Sequence, residues 1–247
     1  MRGYQDTYTD DSPYGFGGHG VTYMVRRLIL LNAAVFAAQL LLAPLEALSG
    51  VTAVEWFGFV PGDFMRGSLW QPLTYQFLHG GLMHLVMNML WLFFFGPDVE
   101  RLLGSRQFTV LYVACGAVGV LLSLFSLGLF GQNPVIVGAS GSVLGVLVAF
   151  AVADPARQIL LFPLPVPMSA ATLVAIIAAL NLVWAFGETN ASVSTHLGGM
   201  GMGWVMMQLI PRYQQWLRQR NRERWQKRNP GGGDDDPDNI FEFRPRD

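Results

Sequence analysis

The sequence predicts an all-α membrane protein, a bundle of six transmembrane helices, on three observations. Of its 247 residues 52% are hydrophobic and only 13% are charged, against roughly a quarter charged in ordinary globular chains. The charges are bunched, with eight of them in residues 209–228. Between residues 28 and 210 the chain holds long uncharged runs, and a helix that crosses a bilayer needs about 20 mostly apolar residues.

Six runs meet that need, at 26–43, 80–96, 108–130, 138–153, 168–187 and 192–210. The first follows more than twenty residues of polar chain and abuts Arg26 and Arg27, with no Ala-x-Ala site after it. It is expected to persist as a signal-anchor helix. The connection 44–79 is long for a loop between helices and carries Trp56, Phe57, Phe59, Phe64 and Trp70 among few charges. Such a loop is expected to be functional and to lie partly in the outer leaflet. The fourth run is the shortest, which places it inside the bundle.

Basic residues set the orientation. Arg26 and Arg27, Arg101 and Arg106, Arg157, and seven residues from Arg212 to Arg228 all fall on one side, whereas the opposite connections hold only Arg66 in 44–79, no charge in 131–137 and Glu188 in 188–191. Both termini are therefore expected in the cytoplasm. The expected domains are a disordered tail at 1–24, a six-helix domain at 25–211, and a basic juxtamembrane segment with Trp216 and Trp225 leading into an acidic disordered tail at 212–247. The net charge of −1 says little about partners; membrane lipids are the expected surroundings, and no nucleic acid is expected. A single cysteine, Cys115, leaves no disulfide framework and no CxxC pattern.

Polar side chains in hydrocarbon are costly, so they mark function. His79 and His84 open the second run in FLHGGLMHLVMNM, His196 opens the sixth in STHLGGMGMG, and Ser140 opens the fourth in GASGSVLG. By the expected topology all of these starts face the outer leaflet. Ser140 and His196 offer a nucleophile and a general base, and His84 and Asn88, spaced i and i+4, project from one helix face. That set suffices for acyl transfer. Gly141 with Gly145, and Gly199 with Gly203, form small-xxx-small pairs that favour close helix packing. Close approach of the fourth and sixth runs is what would bring Ser140 to His196.

Taken together, WQPLTYQFLHGGLMHLVMNM (70–89), ERLLGSRQF (100–108), GASG (138–141) and HLGGMGMG (196–203) resemble the rhomboid family of intramembrane serine proteases. The resemblance implies a six-helix bundle with a water-filled cavity open to the outside, in which Ser140 attacks a peptide bond and His196 takes its proton, with no acidic third member. It also implies an oxyanion hole made by the Ser140 N–H with His84 and Asn88. Gly138 and Gly141 would let the backbone turn and pack around the nucleophile, and Gly199 would pack against it. A structural role follows for His79 and Trp70, and a bridge to the aromatic loop for Glu100. The implied substrates are single-span membrane proteins, with no metal and no cofactor. Gln71 stands where the family often has arginine, Leu144 where many members have an aromatic, and Thr195 where alanine is common.

Other proteolytic chemistries lack their residues. No His-Glu-x-x-His run exists for a metalloprotease, Asp98 and Asp154 sit at helix ends and not inside the membrane, and Ser142 breaks a Gly-x-Ser-x-Gly elbow. A rhomboid-like chaperone or adaptor that binds helices without cutting them is the alternative, and a small transporter or channel stands behind it. The oligomeric state is not legible.

Overall fold

The computed structural model describes residues 20–50, 52–131, 133–160, 166–184 and 190–228. Residues 1–19 and 229–247 of the expected tails lie outside the described residues, and the expected disorder of 1–24 is corrected at its end, where Tyr23 and Met24 open the first helix. The chain divides into two compact units, Met1–Met206 and Met207–Asp247.

Helices dominate the first unit. Helix α1 (Tyr23–Ser49) buries Val25, Leu28, Asn32 and Phe36, one stripe of a helix otherwise exposed. The aromatic loop is itself folded, into α2 (Ala53–Phe57), α3 (Pro61–Met65), α4 (Gln71–Thr74) and a 3-10 turn at Tyr75–Phe77. Then come α5 (Leu82–Leu103), α6 (Ser105–Leu121), α7 (Ser123–Phe130) and α8 (Ser140–Ala153). A short antiparallel hairpin, β1 (Gln158–Leu160) and β2 (Pro167–Ser169), precedes α9 (Ala170–Trp184) and α10 (Asn190–Arg228).

Among the described residues, Tyr23–Ser49, Leu82–Leu103 and Ser105–Phe125 are long and apolar enough to cross a bilayer, and Ser140–Ala153 and Ala170–Val183 are shorter apolar helices. Several boundaries differ from the sequence reading: α1 runs on to Ser49 and α5 to Leu103, past the expected ends at 43 and 96. The third run breaks at Leu122, between α6 and α7, and α10 does not stop at 210 but continues through Pro211. Helix α8 packs against α5 and α6, and 10 of its 14 residues are buried. It is the enclosed element of the fold.

Glu100 corrects an expectation. Its carboxylate does not reach the aromatic loop. It accepts hydrogen bonds from Thr22 Oγ1 at 2.5 Å, Val25 N at 2.9 Å and Met24 N, and from Ser105 Oγ at 2.5 Å. A helix N-terminus leaves backbone donors without partners and carries partial positive charge. Thr22, ahead of α1, supplies no side-chain cap, so the Glu100 carboxylate caps that helix start through Met24 N and Val25 N, and it takes the Ser105 hydroxyl at the start of α6.

The loop is held by its own polar groups. Thr52 and Glu55 form a capping box at α2. The Trp70 indole donates to Trp56 O at 3.0 Å, which joins the two halves of the loop. Gln71 is buried and accepts from Val60 N at 3.1 Å. A neutral amide thus occupies the place where an arginine was the family expectation.

The second unit is described through residue 228. In it Tyr213 stacks on Trp216 with centroids 6.0 Å apart, and the Arg220 guanidinium lies 5.1 Å over the Trp216 ring.

Candidate active site

Gly138 and Ala139 end the approach to α8, and Ser140 is its first residue. The approach is fixed by the aromatic loop. Phe59 and Ile136 exchange backbone hydrogen bonds of 2.9 and 2.8 Å, and Gly138 N donates to Tyr75 O at 3.0 Å. Tyr75 is fully buried, and its hydroxyl donates to Gly116 O at 2.7 Å. The first turn of α8 is tied from the other side, where Ser142 Oγ lies 2.9 Å from Gln76 Oε1.

Ala139, the N-cap, offers no side-chain bond to the helix start. The first bond of the helical pattern is Val143 N to Ala139 O at 2.9 Å, so the N–H groups of Ser140, Gly141 and Ser142 stand ahead of it. A polar cap would compete for these donors; alanine leaves them directed out of the helix end.

His196 is the seventh residue of α10. Its Nε2 lies 2.8 Å from Ser140 Oγ. Glycines make the approach possible: a Cβ at Gly199 would overlap the Gly141 carbonyl, and one at Gly203 would overlap the Gly145 carbonyl. The two small-xxx-small pairs therefore face each other across the α8–α10 contact. Thr195 is buried, and its Cγ2 methyl would come within 3.3 Å of a Cβ at Gly141. Leu144 is half-buried one turn along α8.

His84, in the first turn of α5, lies over Gly138. A Cβ at Gly138 would sit 2.5 Å from His84 Cε1 and 2.7 Å from Nε2, and the backbone there has φ +118°. Asn88 is buried one turn further, with Nδ2 donating to His84 O at 3.0 Å. Its second N–H remains. His79 is buried beside them, its ring edge-on to His84 at 5.2 Å between centroids. The backbone of His79 is gripped by the Gln39 amide of α1, which receives its N–H at 3.0 Å and donates to its C=O at 3.3 Å. Trp70 is exposed and acts on the loop alone.

Two amides were not among the sequence candidates. Gln39 is one. The other is Asn181 of α9, whose Oδ1 lies 2.8 Å from His196 Nδ1. The signal was present, since Asn181 is a polar residue deep in an apolar run.

A half-buried serine and histidine in contact, carried on two helices of an apolar bundle, agrees with a family comparison in which the rhomboid domain matches residues 66–213. The chain belongs to the rhomboid family. Rhomboid protease GluP of Bacillus subtilis is 35% identical over 136 residues, 55% of this chain and 25% of that protein. RHOMBOID-like protein 4 of Arabidopsis thaliana is 35% identical over 155 residues, 62% of this chain and 37% of its own. Rhomboid protease GlpG of Serratia proteamaculans is 33% identical over 88 residues, 35% of this chain and 32% of its own. The chain thus matches about a quarter to little more than a third of each relative's length. Family membership and the long apolar helices make this rhomboid protein an integral membrane protein.

Proposed function

We propose that the chain is an intramembrane serine endopeptidase that cleaves transmembrane segments of single-span, membrane-anchored proteins. The observation that carries the reading is the 2.8 Å contact of His196 Nε2 with Ser140 Oγ at an uncapped helix start. Ser140 Oγ adds to the scissile carbonyl carbon as His196 Nε2 takes its proton. The carbonyl oxygen becomes an oxyanion that receives hydrogen bonds from the Ser140 N–H and the His84 and Asn88 side chains. Collapse breaks the C–N bond, and the amine leaves with the proton from His196. Water then attacks the acyl-enzyme with His196 again as base.

In this reading residues 25–211 form a protease domain of six spans in a bacterial inner membrane, with both termini cytoplasmic. Residues 212–247 add a basic anchor and a tail. Gly138, Gly141 and Gly199 shape the site, and His79 and Trp70 support it.

The test compares wild type with Ser140→Ala and His196→Ala on a model transmembrane substrate, together with fluorophosphonate labelling. Both variants are expected to remain folded and inserted and to lose cleavage, and Ser140→Ala also to lose the label. Near-wild-type turnover in either variant rejects the dyad. A chelator is expected to leave turnover intact; loss that zinc restores would overturn the serine mechanism.

A further inference from the structure

A neutral imidazole carries one N–H, and the hydrogen bond made by one ring nitrogen decides where that proton sits. His196 can accept the Ser140 proton at Nε2 only when Nδ1 holds the ring's own proton. Asn181 Oδ1 lies 2.8 Å from Nδ1, where it accepts that proton. The other end of the same amide donates from Nδ2 to Ile177 O at 2.9 Å, one turn back in α9. Turning the amide over would set oxygen against the Ile177 oxygen and NH2 against the Nδ1–H, which loses both bonds. Donation therefore runs one way, from Ser140 Oγ through His196 and Asn181 to the α9 backbone carbonyl of Ile177.

We propose that Asn181 is the positioning residue of the catalytic base, selecting the Nδ1–H tautomer and the ring orientation of His196 through the Asn181 Oδ1 contact. The proposal rests on the serine-protease reading above. Asn181 is only 8% exposed, so water does not readily replace it. The choice of an amide over a carboxylate follows from the surroundings, because an ionised group in an apolar bundle costs several times more than a hydrogen-bonded neutral one. Once His196 is protonated both ring nitrogens donate; Asn181 keeps Nδ1–H, and Nε2–H stays aimed at the leaving amine. Asn181 thus adds to the two-residue chemistry a third side chain, supplied by an element that carries neither Ser140 nor His196.

The test measures kcat, KM, thermal stability and fluorophosphonate labelling rate, each per folded protein, for the full chain in liposomes as wild type, Asn181→Leu, Asn181→Asp and Ser140→Ala. Asn181→Leu keeps the volume and removes the acceptor. It is expected to lower kcat about 10- to 100-fold, the scale of a misplaced catalytic group, with KM within about twofold of wild type. Asn181→Asp restores an acceptor toward Nδ1–H and is expected to recover part of kcat. A packing role gives the opposite order, with Leu near wild type and Asp worst, and that result overturns the proposal. So does a Leu defect that disappears when rates are normalised to folded protein. If Asn181→Leu does not fold, the labelling rate of Asn181→Asp against Asn181→Ala decides, and Asp no faster than Ala overturns the proposal. Labelling or turnover retained by Ser140→Ala rejects the underlying protease reading instead, and the two failures are thereby distinct.

Discussion

At Gly138 a side chain is excluded on two grounds. The φ of +118° lies where L-residues are strained, and the His84 ring occupies the space a Cβ would need. Gly138→Ala must therefore displace either the turn before Ser140 or the imidazole of the proposed oxyanion hole. We expect kcat to fall by about 10-fold or more, since small displacements of catalytic groups cost up to about 100-fold, with stability lowered by about 1–3 kcal/mol through overpacking. Kinetics and a thermal melt of the same preparation check both numbers, and a wild-type kcat would show that the His84 ring has no part in the reaction. The Ser140–His196 contact was legible in the sequence because each is a reactive side chain that opens an apolar run. The amide of Asn181 was not, although that of Asn88 was. Asn32, Asn88 and Asn181 each donate to the carbonyl four residues earlier in their own helix, and only the packed structure shows that Asn181 turns its oxygen toward a histidine.

Between elements, the glycines of α8 and α10 do what aliphatic side chains do in a soluble core, but by absence. Lipid tails are as apolar as leucine, so helices associate through close packing and not through hydrophobic expulsion. Gly199 and Gly203 face carbonyls of α8, whereas a Cβ at Gly201, on the same helix, would meet nothing within 4 Å. This register sets a paired prediction. Gly199→Val is expected to separate α8 from α10, losing folded protein and activity together, at a cost of about 3 kcal/mol or more for an overpacked contact. Gly201→Ala is expected to be neutral or to stabilise by about 0.5–1 kcal/mol through helix propensity. Thermal stability in detergent reads both, and equal effects at the two positions would reject the pairing. The glycine spacing itself was readable from sequence. The Glu100 contacts were not, because a carboxylate that accepts from residues 76 and 5 positions away leaves no local pattern.

For the whole molecule the open quantity is which face of the membrane holds the entrance to Ser140. From the basic residues the connection 44–79 is expected opposite the termini. The structure ties that connection to the approach to Ser140, through the Phe59–Ile136 pair and a 2.7 Å bond from Gly62 N to Asn133 Oδ1. A label on the connection therefore reports the side of Ser140. Met65 is 70% exposed and suits this purpose, while the native Cys115 is fully buried and is removed as Cys115→Ala to leave a clean background. Single cysteines at Met65→Cys, Asp10→Cys and Ile240→Cys are treated with an impermeant thiol reagent on intact cells and again after permeabilisation. Met65→Cys is expected to label from outside, and Asp10→Cys and Ile240→Cys only once the membrane is opened. The reverse pattern would turn the molecule over, place Ser140 at the cytoplasmic leaflet, and confine its substrates to segments that become exposed on that side.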